Sequence, residues 1–194
     1  FVFLCIGPVL ECPSGTYQDT ASNSQCKTCP LRSIQDTDRT KCKCDARFYR
    51  TDKESIFDNC TAQPSAPQNL SSTFVNAIFV TIVWSPPLHL GGRSDVYYEV
   101  ECKQCDDERR YCTKDCTGAV ITHTTRTTRM ATVQHLSAYT YYQLKVFAKN
   151  GVTHLAEKNK EKSKDTNIVL RTNEGMRAPP ESPHSPRVIL HGVY

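Results

Sequence analysis

Eleven cysteines in 194 residues, seven of them before residue 61, constrain this chain more than any other feature. A reducing compartment keeps thiols free, whereas a secreted chain uses them as staples. Zinc is the competing use, since Cys26-x-x-Cys29 and Cys102-x-x-Cys105 have the spacing of a zinc knuckle. A structural zinc site pairs one knuckle with another of similar spacing or with two His. The companions here, Cys42-x-Cys44 and Cys112-x-x-x-Cys116, fit that pattern less well, so the spacing favours disulfides.

Residues 11–62 hold six cysteines and almost no sustained apolar stretch. Such a segment buries too little apolar surface to fold without covalent help. Read in order, neighbours pair: Cys12 with Cys26, Cys29 with Cys42, and Cys44 with Cys60, which is one of fifteen possible pairings. Each bridge of this loop size contributes about 3 kcal/mol in the chain-entropy model. Pro13-Ser14-Gly15-Thr16-Tyr17 predicts a turn followed by an aromatic lying across the adjacent bridge, with Phe48 and Tyr49 doing the same for the last loop. Cys5 is left over, to pair with an upstream cysteine or to leave with a signal peptide. Residues 1–10 are mostly apolar and read either as the remnant of a signal-peptide core or as part of a preceding domain.

Residues 63–67, with Pro64 and Pro67, form a stiff connector. Residues 68–174 then show short alternating strands. Val80, Ile82 and Trp84 share one face, as do Tyr98, Val100 and Cys102. Ala131 with Val133 marks a further strand, Tyr142, Leu144, Val146 and Ala148 form the longest alternation, and Ile168 with Leu170 closes the series. The spacing predicts a mainly β fold: a small disulfide-rich module followed by a seven-stranded Greek-key sandwich, without the three-and-four apolar spacing of helices. Trp84, Leu136 and Tyr142 are its expected structural core, Tyr142 as a tyrosine corner whose hydroxyl bonds back to the chain upstream. For the last four cysteines, nested bridges Cys102–Cys116 and Cys105–Cys112 fit best, with Cys102–Cys112 and Cys105–Cys116 also open. Either would stiffen a protruding loop.

The sandwich resembles a fibronectin type III domain, through Trp84, the Leu136 to Tyr142 corner and Ala148-Lys-Asn150-Gly151-Val152. More narrowly it resembles the first such domain of Eph receptors, the receptor tyrosine kinases that bind ephrins. The motifs are Trp84-Ser-Pro86-Pro, Gly91-Gly92-Arg93-Ser-Asp95, Cys102-Lys-Gln-Cys105 and Cys112-Thr-Lys-Asp-Cys116. The preceding module is similar to that family's cysteine-rich, EGF/TNF-receptor-like module through Cys12-Pro-x-Gly-x-Tyr, Cys26-x-x-Cys29-Pro30, Cys42-x-Cys44 and Phe48-Tyr49-Arg50-x-Asp52. The resemblance runs from about Glu11 to Asn173. It departs from the family at Asn76-Ala-Ile-Phe79 and in the Lys-rich loop from Thr153 to Lys164. Residues 175–194 resemble a linker and the start of a truncated second fibronectin-type domain, expected to be disordered alone.

The resemblance implies an extracellular spacer and receptor–receptor contact region of an ephrin receptor. Ephrin would bind through an absent upstream domain, and the membrane would be reached through an absent downstream helix. The other reading is a secreted or matrix adhesion protein built from the same modules. The chain contains no nucleotide-binding Gly-rich loop, His-Arg-Asp or Asp-Phe-Gly, no nucleophile elbow and no zinc-protease helix, so no enzymatic activity is expected of it. No cofactor and no metal site are expected. A net charge of +4 gives no sign of nucleic-acid binding. No apolar run reaches a membrane-spanning length, and the chain is expected to be soluble on the extracellular side of the plasma membrane. Two sequons, Asn59-Cys60-Thr61 and Asn69-Leu70-Ser71, are candidate glycosylation sites, Asn69 the better because Asn59 adjoins a bridged cysteine. The basic stretches Lys158–Lys164 and Thr122–Arg129 read as solvated loops, and Gly91 to Asp95 as a turn with an ion pair.

Overall fold

The computed structural model describes residues 12–18, 25–108, 111–122 and 127–175. The expectations for residues 1–10, the tail after 175 and half of the basic stretch Thr122–Arg129, residues 123–126, lie outside the described residues.

The cysteine-rich part is built from two short antiparallel ladders. Strand β1 (Thr16–Tyr17) pairs with β2 (Lys27–Thr28), and β3 (Ser33–Gln35) pairs with β4 (Cys42–Cys44). Its first turn is set by Gly15 at φ 80°, with the Thr16 N–H and hydroxyl both donating to the Pro13 carbonyl. Tyr17 is buried and stacks on Phe57, their centroids 6.4 Å apart.

The second part packs two four-stranded sheets face to face. One has the order β5 (Gln68–Val75), β6 (Phe79–Ser85), β10 (Met130–Gln134), β9 (Val120–Thr122). The other has the order β12 (Asp165–Arg171), β11 (Tyr141–Lys149), β7 (Tyr97–Cys105), β8 (Cys112–Asp115). The chain crosses between sheets after β6, β8 and β10, so each sheet interleaves sequence-distant strands. Among the described residues the sandwich has eight strands, close to the seven expected. Strand β8 carries no apolar alternation, and its pairing to β7 accompanies a bridge between the two.

The two-residue period explains the core. Val80, Ile82, Trp84, Ala131 and Val133 of the first sheet meet Tyr98, Cys102, Tyr142, Leu144, Val146 and Ala148 of the second. Fully burying one Val, Ile or Leu contributes about 2 kcal/mol, so these alternating positions are the main source of sandwich stability. Trp84 meets Tyr98 edge-on, with centroids 5.4 Å apart.

The two outer faces differ in chemistry. The first sheet contains no charged residue in any strand. Its register lines up Ser71, Val83 and Met130 in one row and Phe74, Thr81, Thr132 and Thr122 in the next. The second sheet carries Glu99, Glu101, Lys103, Lys145, Lys149 and Asp165. Lys149 pairs there with Glu99 at 2.8 Å and Glu157 at 3.2 Å.

The segment read as a Lys-rich loop contains a short helix, α1 (Thr153–Lys158). Asn150 and Thr153 nucleate it: the Thr153 hydroxyl accepts from the Asn150 N–H at 2.9 Å and donates to Asn150 Oδ1 at 3.1 Å. With only Thr153 and Ala156 buried, it has no apolar stripe for periodicity to reveal.

Candidate functional site at the module junction

Each of the ten cysteines in the described residues is bridged. The bonds join Cys12 to Cys26, Cys29 to Cys42, Cys44 to Cys60, Cys102 to Cys116 and Cys105 to Cys112. A bridged sulfur is neither a thiolate ligand nor a nucleophile, which removes the zinc reading. Among the described residues no group of three or more His, Cys, Asp or Glu is arranged to hold a metal. Cys102 and Cys105 are buried, so the two nested bridges, outer Cys102–Cys116 and inner Cys105–Cys112, anchor the β7–β8 hairpin into the sheet.

Trp84, Leu136 and Tyr142 are all buried in the core. The Tyr142 hydroxyl accepts from the Ser137 N–H at 2.9 Å, which is corner geometry. Asn69 lies exposed on β5. Asn59 is also exposed, but its Oδ1 accepts from the Leu31 N–H at 2.9 Å and Cys60 beside it is buried.

The densest polar arrangement lies where the cysteine-rich part meets the sandwich. The turn between β6 and β7 places Gly91 at φ 76° and Gly92 at φ 82°. The Ala62 N–H donates to the Gly91 carbonyl at 2.9 Å, and the Ser65 N–H donates to the His89 carbonyl at 2.9 Å. A Cβ on Gly91 would overlap the Ala62 carbonyl oxygen and stand 2.7 Å from its carbon, so only glycine permits this approach. Asn150, 2% exposed, donates from Nδ2 to the Ala62 carbonyl at 2.8 Å and to the Leu90 carbonyl at 3.3 Å.

Arg93 completes the junction. Its guanidinium grips Asp95 through two parallel bonds of 2.8 and 2.9 Å, pairs with Glu54, and donates to Thr61 Oγ1 at 3.2 Å. Asp95 also accepts from the Gly151 N–H at 3.2 Å. The hydrogen bond to Asp95 raises the Arg93 pKa, and Arg93 in turn holds the Asp95 carboxyl below the usual range. Burial opposes the charge on Glu54, but bonds from the Thr51 N–H and Arg93 outweigh it and lower its pKa. A second contact joins the parts further out: the Tyr49 hydroxyl donates to Glu161 at 2.7 Å, and Gln63 Nε2 donates to the Lys162 carbonyl at 3.3 Å. Desolvation raises the Tyr49 pKa, keeping it a neutral donor.

Sequence reading found the Arg93–Asp95 pair and missed Glu54, Thr61 and Asn150, because these contacts span 39, 32 and 88 residues respectively. Tyr49, expected to lie over the last bridge, points its hydroxyl to the sandwich. The only advance signal was the pair of adjacent glycines, which demands a left-handed turn without saying what approaches it.

Residues 65–163 match the fibronectin type III domain family, and residues 7–45 match the family described as tyrosine-protein kinase ephrin type A/B receptor-like. The chain belongs to the fibronectin type III family, and its pairing of the two matched modules is similar to that of ephrin receptors. It is 33% identical over 172 residues to ephrin type-A receptor 4-B of Xenopus laevis, covering 87% of this chain and 17% of that protein. It is 38% identical over 146 residues to ephrin type-B receptor 3 of Xenopus laevis, covering 73% and 15%. The chain therefore spans under a fifth of the length of these relatives. Among solved structures it is similar to domains A168–A170 of titin, with TM-score 0.43, 18% identity, and coverage of 62% of this chain and 36% of that one.

Proposed function

We propose that this region is a semi-rigid extracellular spacer of an ephrin receptor, holding a cysteine-rich module and a fibronectin type III sandwich in one fixed relation so that neighbouring receptors meet laterally. Ephrin recognition then belongs to an upstream domain, and membrane attachment and kinase activity to downstream parts. The region lies on the outer side of the plasma membrane, where its bridges persist.

The supporting observation is the Arg93 node, which ties Glu54 and Thr61 of the cysteine-rich module to Asp95 of the sandwich. Relative domain motion is the default where few contacts cross a boundary. Here the partly buried Arg93–Glu54 ion pair, the buried Asn150 bonded to Ala62 and the glycine-dependent approach of Gly91 to Ala62 all cross the boundary and oppose it. A spacer of fixed geometry presents its surfaces to a neighbour without first losing orientational entropy.

The test is a distance distribution between two spin labels on unnatural side chains, one in each module. A single narrow distribution is expected, broadened by Arg93→Ala. A broad distribution in the unaltered chain would sink the proposal, and tight ephrin binding by this chain alone would refute the division of labour.

A further inference from the structure

The uncharged outer face of the first sheet and the sequon at its border share one chemistry. Asn69 lies on β5, an edge strand, with φ 52°, and heads the acceptor pattern Asn69-Leu70-Ser71. Its Nδ2 donates to the Ser85 hydroxyl on β6 at 3.4 Å, so the side chain leans over the sheet. Across this face, hydroxyls alternate with apolar groups. Thr81 and Thr132 bond to each other at 3.0 Å, Phe74 is 52% exposed and stacked on Phe79 at 5.2 Å, and Met130 is 44% exposed. A pyranose ring has the matching character, with hydroxyls at its rim and C–H groups on its faces. The second sheet, crowded with Lys and Glu, offers no such surface.

We infer that Asn69 carries an N-linked oligosaccharide that folds back across this face and masks the free β5 edge. The transfer forms a bond between Asn69 Nδ2 and the anomeric carbon of a lipid-linked oligosaccharide donor. It breaks that carbon's bond to the donor's pyrophosphate oxygen, with one amide proton lost and the lipid pyrophosphate leaving. The remaining amide hydrogen still reaches Ser85. Strands are spaced about 4.8 Å apart, so Met130, two strands from Ser71, is about 10 Å away. Phe74, five positions along β5, is roughly 17 Å from Asn69. Both lie within the span of a branched core glycan. An edge strand with unpaired backbone groups needs covering to prevent pairing with another chain, and a sugar does this without adding charge.

The inference rests on the extracellular placement proposed above, since transfer occurs in the secretory pathway. The chain is secreted from eukaryotic cells, and its glycopeptides are mapped site by site. Oxidation of Met130 by dilute peroxide is then timed in the glycosylated chain, in Asn69→Gln and in Ser71→Ala. Enzymatic trimming of the folded chain to its first sugar supplies the same comparison when a variant is not secreted. Occupied Asn69 and several-fold faster Met130 oxidation without the glycan are expected. Three results would each overturn it: an unmodified Asn69 in a chain secreted with its bridges formed, equal oxidation rates, or Met130 protection that depends on protein concentration, which would mark a second copy as the cover. The first of these leaves the extracellular reading standing. Retention of the chain in the cell with its thiols reduced would refute that reading itself.

Discussion

Replacing Gly91 by Ala should loosen the junction far more than the same change one residue later. At Gly91 the left-handed backbone costs an alanine about 1 kcal/mol. Its Cβ would also overlap the Ala62 carbonyl, so the two backbones must separate. Separation gives up the Ala62 N–H bond to Gly91 and the Asn150 bond to Ala62, about 1 kcal/mol each. A total of about 3 to 4 kcal/mol follows, with the Asn150 amide left short of a partner. At Gly92 the left-handed backbone recurs, but the nearest atom to a new Cβ is Thr61 Cγ2 at 3.7 Å, an ordinary contact. Gly92→Ala should therefore cost about 1 kcal/mol. Urea unfolding followed by far-ultraviolet circular dichroism measures both, and amide exchange at Ala62 locates the loss. Equal midpoints for the two variants, or an Ala62 amide equally protected in both, would refute the account of the junction.

Tyr142→Phe leaves the Ser137 N–H without its acceptor and should lower stability by about 1 to 2 kcal/mol with the fold intact, as read from denaturation and amide spectra. Replacing both Cys102 and Cys116 by Ser opens a loop of separation 14 and should cost about 3 kcal/mol, shown by the denaturation midpoint under non-reducing conditions. Asn150→Asp removes the two Nδ2 donors and buries a carboxylate facing two carbonyls, so it should destabilise more than Asn150→Ala at pH 7. Asp95 and Glu54 have folded pKa values below their unfolded ones, so their contribution is fully present above about pH 4 and is lost as pH falls through the lowered values. Stability measured from pH 7 to pH 2 should fall at the acid end, and Asp95→Asn should flatten part of that fall.

The sandwich was readable because its buried positions recur every second residue, as in Leu144, Val146 and Ala148 on β11. Strand β8 was not, since Cys112-Thr-Lys-Asp115 exposes three of its four residues and is held by its partner strand and a bridge. The α1 helix was hidden for the same reason, being too short to show a stripe. At the junction, Arg93 and Asp95 are two residues apart and their pairing follows from reach alone. Glu54 is separated from them by the whole connector and β5–β6, and only the fold brings it close.

Trp84 gives the molecule an internal clock. It is the one tryptophan in the chain, it lies in the sandwich core, and its indole nitrogen is buried without a hydrogen-bond partner among the described residues. Its emission reports the opening of the sandwich, whereas the bridged module contributes only Tyr17 and Tyr49 to an absorbance dominated by the sandwich tyrosines, so that module is followed through the amide exchange of its own backbone. A fluorescence transition that coincides with the loss of amide protection in the bridged module would mean that the two modules come apart as one cooperative unit, and that the junction carries their coupling.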